Sequence, residues 1–139
     1  MRRAISEEQK AARREQLLDA AWQLFQERPY QAIGVQDVAV HAGLAKGTVY
    51  LYVTTKEELF LAVLERQFAA WFDQVDARLV ELAAGQGAAP AAAAIATALT
   101  AQPHLVRLFT IAHAVLEQNV ALEPLLRFKQ LLAERLSRT

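Results

Sequence analysis

The chain has 139 residues, 54% of them apolar, with 28 alanines and 20 leucines against 22 residues of Val, Ile and Thr combined. That balance favours helix over sheet, and with 22% charged residues the chain can bury enough surface to offset its ordering entropy, which excludes global disorder. Cysteine is absent, so a disulfide framework, a thiolate zinc site and a cysteine nucleophile are excluded together, and fifteen basic side chains balance fifteen acidic ones. The distribution of charge says more than the total. Within residues 1–14, Arg2, Arg3, Lys10, Arg13 and Arg14 stand against Glu7 and Glu8, a local excess of three positive charges. It suits either a phosphate-seeking arm or a solvated helix start. No apolar core follows Arg2 and Arg3, so secretion is not expected and a cytoplasmic location is. The longest charge-free stretch, 82–103, is broken by Gly85, Gly87 and Pro90 and rests on weakly hydrophobic alanine, so no membrane span is expected.

Ser6 with Gln9 three residues on makes a capping box, and Leu18, Ala21, Trp22 and Phe25 recur at helical spacing until Pro29 ends the helix. A second segment, 35–42, sets Val35, Val38 and Ala39 on one side and stops at Gly43, a residue suited to the left-handed conformation. Gly43 and Leu44 separate it from a third segment, 45–52, with Val49 and either Tyr50 or Val53 facing inward. Two short helices joined by so tight a turn predict a helix-turn-helix. Thr55 and Glu58 form a second capping box, and Phe60, Val63, Leu64, Phe68, Trp71, Phe72, Val75, Leu79 and Leu82 continue one stripe. A helix over 55–82 would run about 42 Å at the α-helical rise. Gly85 and Gly87 close it, and Pro90, Pro103 and Pro124 each suit the first turn of a further helix, predicted near 90–100, 103–118 and 124–138. The fold class is all-α: a three-helix head at 1–54, then a long fourth helix leading into a helical body at 55–139.

The head carries a specific set of motifs: Asp37-Val38-Ala39, Ala42-Gly43-Leu44, Lys46-Gly47-Thr48-Val49-Tyr50, a second tyrosine at Tyr52, and Thr55-Lys56-Glu57-Glu58-Leu59. Together they resemble the DNA-binding signature of TetR-family transcriptional regulators. The physics of the segment agrees, because a major groove about 12 Å wide accepts one helix whose exposed end reaches base edges. Lys46 and Thr48 lie on the early turn of the third segment, where a cation meets guanine acceptors or phosphate and a hydroxyl donates or accepts. Gly47 leaves room for backbone approach. The resemblance places the DNA-contacting positions on Ala45, Lys46, Gly47, Thr48, Tyr50, Leu51, Tyr52 and Lys56, with Tyr50, Tyr52 and Lys56 mainly on phosphates. At Lys56, charge and helix dipole would act together on an anion. For Tyr50 the other reading is a core ring whose hydroxyl reaches the surface. Three departures from the family pattern stand out: Gly34 and Ala45 replace hydroxyl-bearing caps, Gly being an adequate cap and Ala a poor one that costs roughly 1 kcal/mol relative to a good capping residue, and Val53 replaces a common phenylalanine.

The resemblance further implies a double-stranded DNA operator, a two-fold homodimer, and a body that binds a small molecule. Phe68, Trp71, Phe72, Leu105, Leu108 and Phe109 are either the lining of a pocket for a small apolar effector or ordinary core. Gln67, Arg107 and His113 are its candidate polar anchors. His113 and Glu117, four residues apart, share a helical face and would suit a metal pair or a hydrogen-bonded pair. No nucleophile–base set or phosphate loop is visible, so neither an enzyme nor a cofactor or metal site is expected. Family members usually continue through two further helices that build the dimer interface, so the chain is either a fragment or dimerises through the helices it has. The sequence-specific regulator, most simply a repressor, competes with a helical ligand-binding or protein-interaction module that leaves its head unused.

Overall fold

The computed structural model describes residues 6–82 and 88–112, together with 114 and 130. Among them are six α-helices and no strand: α1 (Glu7–Glu27), α2 (Val35–Ala42), α3 (Lys46–Val49), α4 (Lys56–Leu82), α5 (Ala88–Thr100) and α6 (Pro103–Ile111), with one 3-10 turn at Tyr30–Ala32. The chain divides into two compact units, Met1–Val63 and Leu64–Thr139. The division falls two turns into α4, where Leu59, Phe60 and Val63 are buried on the side of the first unit.

In the first unit the predicted local chemistry sets the helix ends. Ser6 Oγ accepts from the Gln9 N–H at 3.1 Å and Gln9 Oε1 accepts from the Ser6 N–H at 3.1 Å, while Glu7 and Glu8 offset the positive end of the helix dipole. At the other end Arg28 turns extended ahead of Pro29. Leu17, Leu18, Ala21, Leu24 and Phe25 are buried at three- and four-residue spacing, and Ile33, Val38, Ala39, Val49 and Phe60 are buried in the same unit. The Phe60 ring sits 5.9 Å from Phe25 and 5.2 Å, edge-on, from Tyr30. Gln16 donates to the Ala42 carbonyl at 2.9 Å and fixes α1 against the end of α2.

In the second unit α4 carries Phe68, Trp71, Phe72 and Val75 inward. The Trp71 indole donates to the Ala98 carbonyl at 3.1 Å, tying α4 to α5. Helix α5 begins two residues before Pro90, which is tolerated in a first turn because the missing N–H has no intrahelical partner there. Pro103 opens α6 at its first position. Of the predicted continuation of α6 to residue 118 only 112 and 114 are described, and of the helix at 124–138 only 130; His113 and Glu117 lie outside the described residues. Among the described residues no helix is long and apolar enough to cross a membrane.

Candidate nucleic-acid interface

The turn that presents α3 is built from backbone hydrogen bonds and one glycine. Gly43 takes φ +74°, its N–H donates to Val40 O at 3.1 Å, and the Leu44 N–H donates to Ala39 O at 2.9 Å. This Schellman arrangement satisfies the last carbonyls of α2 and reverses the chain within two residues. At the start of α2, Gly34 has no side chain to cap with, but the Asp37 carboxylate accepts the Gly34 N–H at 2.8 Å. Half of a capping box survives. Arg28 stands 3.8 Å from the same carboxylate.

Helix α3 is shorter than the predicted 45–52. Its α-helical part is Lys46–Val49, after which Leu51 donates to Thr48 O and Tyr52 to Val49 O, tightening the chain into a hydrogen-bonded turn. The sequence explains the shortening: Ala45 offers no capping acceptor, and Thr48, Val49, Tyr50, Tyr52 and Val53 are β-branched or aromatic, weak at holding a helix. Val49 and Val53 are the buried anchors. Of the two inward candidates, Val53 is the one in the core, and the Tyr50 ring is 47% exposed rather than core filler.

Around these anchors Ala45, Lys46, Gly47, Tyr50 and Leu51 are exposed, and Thr48 and Tyr52 half-buried. A Cβ placed on Gly47 would meet no protein atom within 4 Å, so nothing inside the chain demands glycine there. The surface is thus a short helix backed by two valines, presenting a cation, a hydroxyl, an open glycine, two tyrosines and a leucine.

Lys56 is placed differently from its expected neighbours. Its ammonium donates to the Tyr30 carbonyl at 2.7 Å and lies 3.9 Å from the centre of the Tyr30 ring. Burial pushes its pKa down, against the upward pull of Glu57 and Asp37. Tyr30 is 5% exposed, its hydroxyl has no hydrogen-bond partner among the described residues, and burial with the nearby Glu57 pushes its pKa well up. Sequence reading missed this tyrosine; an aromatic directly after the helix-ending Pro29 was the available signal. The second capping box forms with a shift of one residue. Thr55 Oγ1 accepts the Glu58 N–H at 3.0 Å, but Glu58 accepts from Thr54, not Thr55, at 2.6 Å.

The residues proposed from sequence to line a pocket are brought together in the second unit. Phe68 stacks on Phe72 at 5.8 Å and meets Phe109 edge-on at 5.3 Å; Trp71 lies 5.0 Å from Phe72; Leu105 and Leu108 are buried; Phe109 stays 40% exposed. These rings fill space against one another. A groove of about 410 Å³ in the same unit is lined instead by residues that include Gln74, Arg78, Thr97 and Gln102 among alanines. Gln67 accepts from Arg66, partial burial lowers the Arg107 pKa, and His113 lies outside the described residues. Among the described residues no group of three or more side chains is placed to hold a metal ion.

Residues 17–63 match the family model for bacterial regulatory proteins of the tetR family, and residues 65–139 match the tetracyclin repressor-like C-terminal domain. The chain is 46% identical over 54 residues (39% of the chain, 25% of the relative) to the HTH-type transcriptional activator FasR of Mycolicibacterium smegmatis. It is 29% identical over 75 residues (54% of the chain, 39% of the relative) to the fatty acid metabolism regulator protein of Bacillus subtilis. The chain therefore spans well under half the length of these curated relatives. A crystal structure of a TetR family transcription regulator from Marinobacter aquaeolei VT8 superposes with a TM-score of 0.62 at 25% identity, covering 95% of this chain and 69% of that one. Two family models that together run from residue 17 to residue 139, with a head that carries the helix-turn-helix, make the conclusion plain: the chain belongs to the TetR family.

Proposed function

We propose that this chain is a non-enzymatic, ligand-responsive transcriptional repressor of the cytoplasm that binds a near-palindromic duplex operator as a homodimer. The observation that carries the reading is the exposed surface of α3 and its following turn, held rigid by Val49 and Val53 while Lys46, Gly47, Thr48, Tyr50, Leu51 and Tyr52 stay at or near the surface. Lys46 and Thr48 read base edges, Gly47 admits the close approach, and the two tyrosines position the strands by phosphate contacts. At Lys56 the role shifts from ammonium to position: the side chain is committed to Tyr30, and the residue fixes where α4 begins.

The effector is a small apolar molecule. The name of the Bacillus subtilis relative supports this, since it ties that protein to fatty acid metabolism. Release follows if the effector binds more tightly to an arrangement of the body that misplaces the half-site spacing, since only differential affinity shifts such an equilibrium. An activator is the second reading, favoured by the name of FasR. The test is a mobility-shift titration with genomic fragments at low and high salt, followed by a promoter reporter. A salt-sensitive shift with reporter output rising on deletion supports repression, and falling output supports activation. No shift with any fragment at low salt overturns the DNA-binding reading.

A further inference from the structure

A groove of about 540 Å³ opens between the start of α1 and the turn after α3, with Glu7, Lys10, Ala11 and Arg14 on one wall and Leu51 and Tyr52 on the other. The four α1 residues stand at positions i, i+3, i+4 and i+7, so they share one helical face. Lys10, Ala11 and Arg14 are exposed, and Leu51 is 75% exposed. The wall across from α1 is the stretch that leaves α3, so the groove adjoins the exposed surface of that helix.

We propose that this groove is a phosphate-binding surface for the DNA strand flanking the base pairs read by α3, with Lys10 and Arg14 as its cations. The inference rests on the DNA-binding reading above. A sugar–phosphate strand alternates anionic and apolar units, and the groove offers both partners: Ala11 and Leu51 for the sugar, Lys10 and Arg14 for the phosphates. Arg14 is the stronger of the two, because its planar fork grips two phosphate oxygens at once. Glu7 is the opposing charge, 3.6 Å from Lys10, but both side chains are exposed, and such a pair is worth at most about 1 kcal/mol. Lys10 therefore transfers readily to a phosphate. The surface also supplies what Lys56 does not, since that ammonium is bound to the Tyr30 carbonyl.

The test measures binding of the full chain to a duplex enriched from random sequence by the wild type, and to a scrambled duplex, across a series of salt concentrations. Arg14→Gln, Lys10→Gln and the double variant are compared with Arg14→Lys, with circular dichroism confirming that each folds. Each neutralised cation lowers the magnitude of the slope of log K against log salt by about 0.9, so the double variant loses about 1.8, while the preference between the two duplexes stays the same. Arg14→Lys keeps the wild-type slope. A wild-type slope in the double variant overturns the groove, as does a loss confined to the enriched duplex, or a change in self-association with DNA binding intact. A wild type without salt-dependent duplex binding overturns the regulator reading as well, so the two failures are distinct.

Discussion

Lys56 and Tyr30 show how one contact engages a residue whose type also suits a phosphate. An ammonium 2.7 Å from a carbonyl and 3.9 Å from a ring centre is held by a charge-assisted hydrogen bond and a cation–π contact together. Lys56→Met keeps the stem and removes the charge. Chemical denaturation is expected to show a loss of about 1–2 kcal/mol, while the salt slope of DNA binding stays at the wild-type value; a slope reduced by about one would put the ammonium on a phosphate instead. Tyr30 has a buried hydroxyl with no partner among the described residues, and a group in that state is a cost. Tyr30→Phe should raise stability at neutral pH by up to about 1 kcal/mol. The raised pKa also sets a sign. Above the ordinary tyrosine value near 10, the unfolded chain releases the phenolic proton while the folded one keeps it, so stability is present below that pH and falls as pH rises beyond it. Denaturation midpoints measured from pH 9 to 11 should fall less steeply in Tyr30→Phe than in the wild type. Gly47 separates folding from binding: with open space around its Cβ position, Gly47→Ala should stabilise the head by about 0.5–1 kcal/mol through helix propensity and yet weaken DNA binding, because the methyl stands where the duplex approaches. Unchanged affinity would remove Gly47 from the interface.

At the scale of elements, side-chain capping decides how α1 and α4 start. The box at Ser6–Gln9 and the Thr55 cap on Glu58 are legible because the hydrogen-bonding groups lie three residues apart in the chain, and only the return bond of Glu58 moves, to Thr54. Thr55→Ala should cost about 1 kcal/mol, the usual value of an N-cap hydroxyl. Gly34 is the converse. Its extended backbone at φ −109° and ψ 165° suits any residue, and an added Cβ would come no closer than 3.4 Å to the Asp37 carboxylate. Gly34→Ser should therefore add about 0.5 kcal/mol, from a restored cap and a less flexible unfolded chain, read as a higher denaturation midpoint. The end of α3 was misjudged from sequence. Periodicity carries no term for the competition between four-residue helical bonds and the three-residue bonds that Leu51 and Tyr52 make, and burial of Val49 and Val53 favours the tighter turn.

For the molecule as a whole, a two-fold operator needs two heads about 34–36 Å apart, one turn of duplex or a multiple of it. Sedimentation of the chain with a near-palindromic duplex is expected to give two chains per duplex, and halving the operator should cost far more affinity than half the contact area implies, because the second head then binds without tethering. One chain per duplex with undiminished affinity on a half-operator would remove the dimer from the proposal. The effector belongs to the same scale: an apolar ligand that fits between the body helices should raise the melting temperature of the second unit in proportion to the logarithm of its concentration.

What the sequence determined on its own was local or periodic: the all-α class from alanine and leucine, the starts of α1 and α4 from their caps, the stop at Gly43, the buried stripe of α4 from Phe60 to Val75, and the motifs that mark the head. Each depends on residues within a few positions of one another, where chain geometry leaves little choice. Tertiary structure decided what depends on residues brought from afar. Lys56 meets Tyr30 across 26 positions, Val53 rather than Tyr50 fills the core, the body's aromatic residues close on each other, and Lys10 and Arg14 line one groove with Leu51 and Tyr52. The reason is physical: a charged side chain takes whichever partner lowers the cost of its partial burial, and that partner is set by the packing of whole helices, which no spacing along the chain encodes.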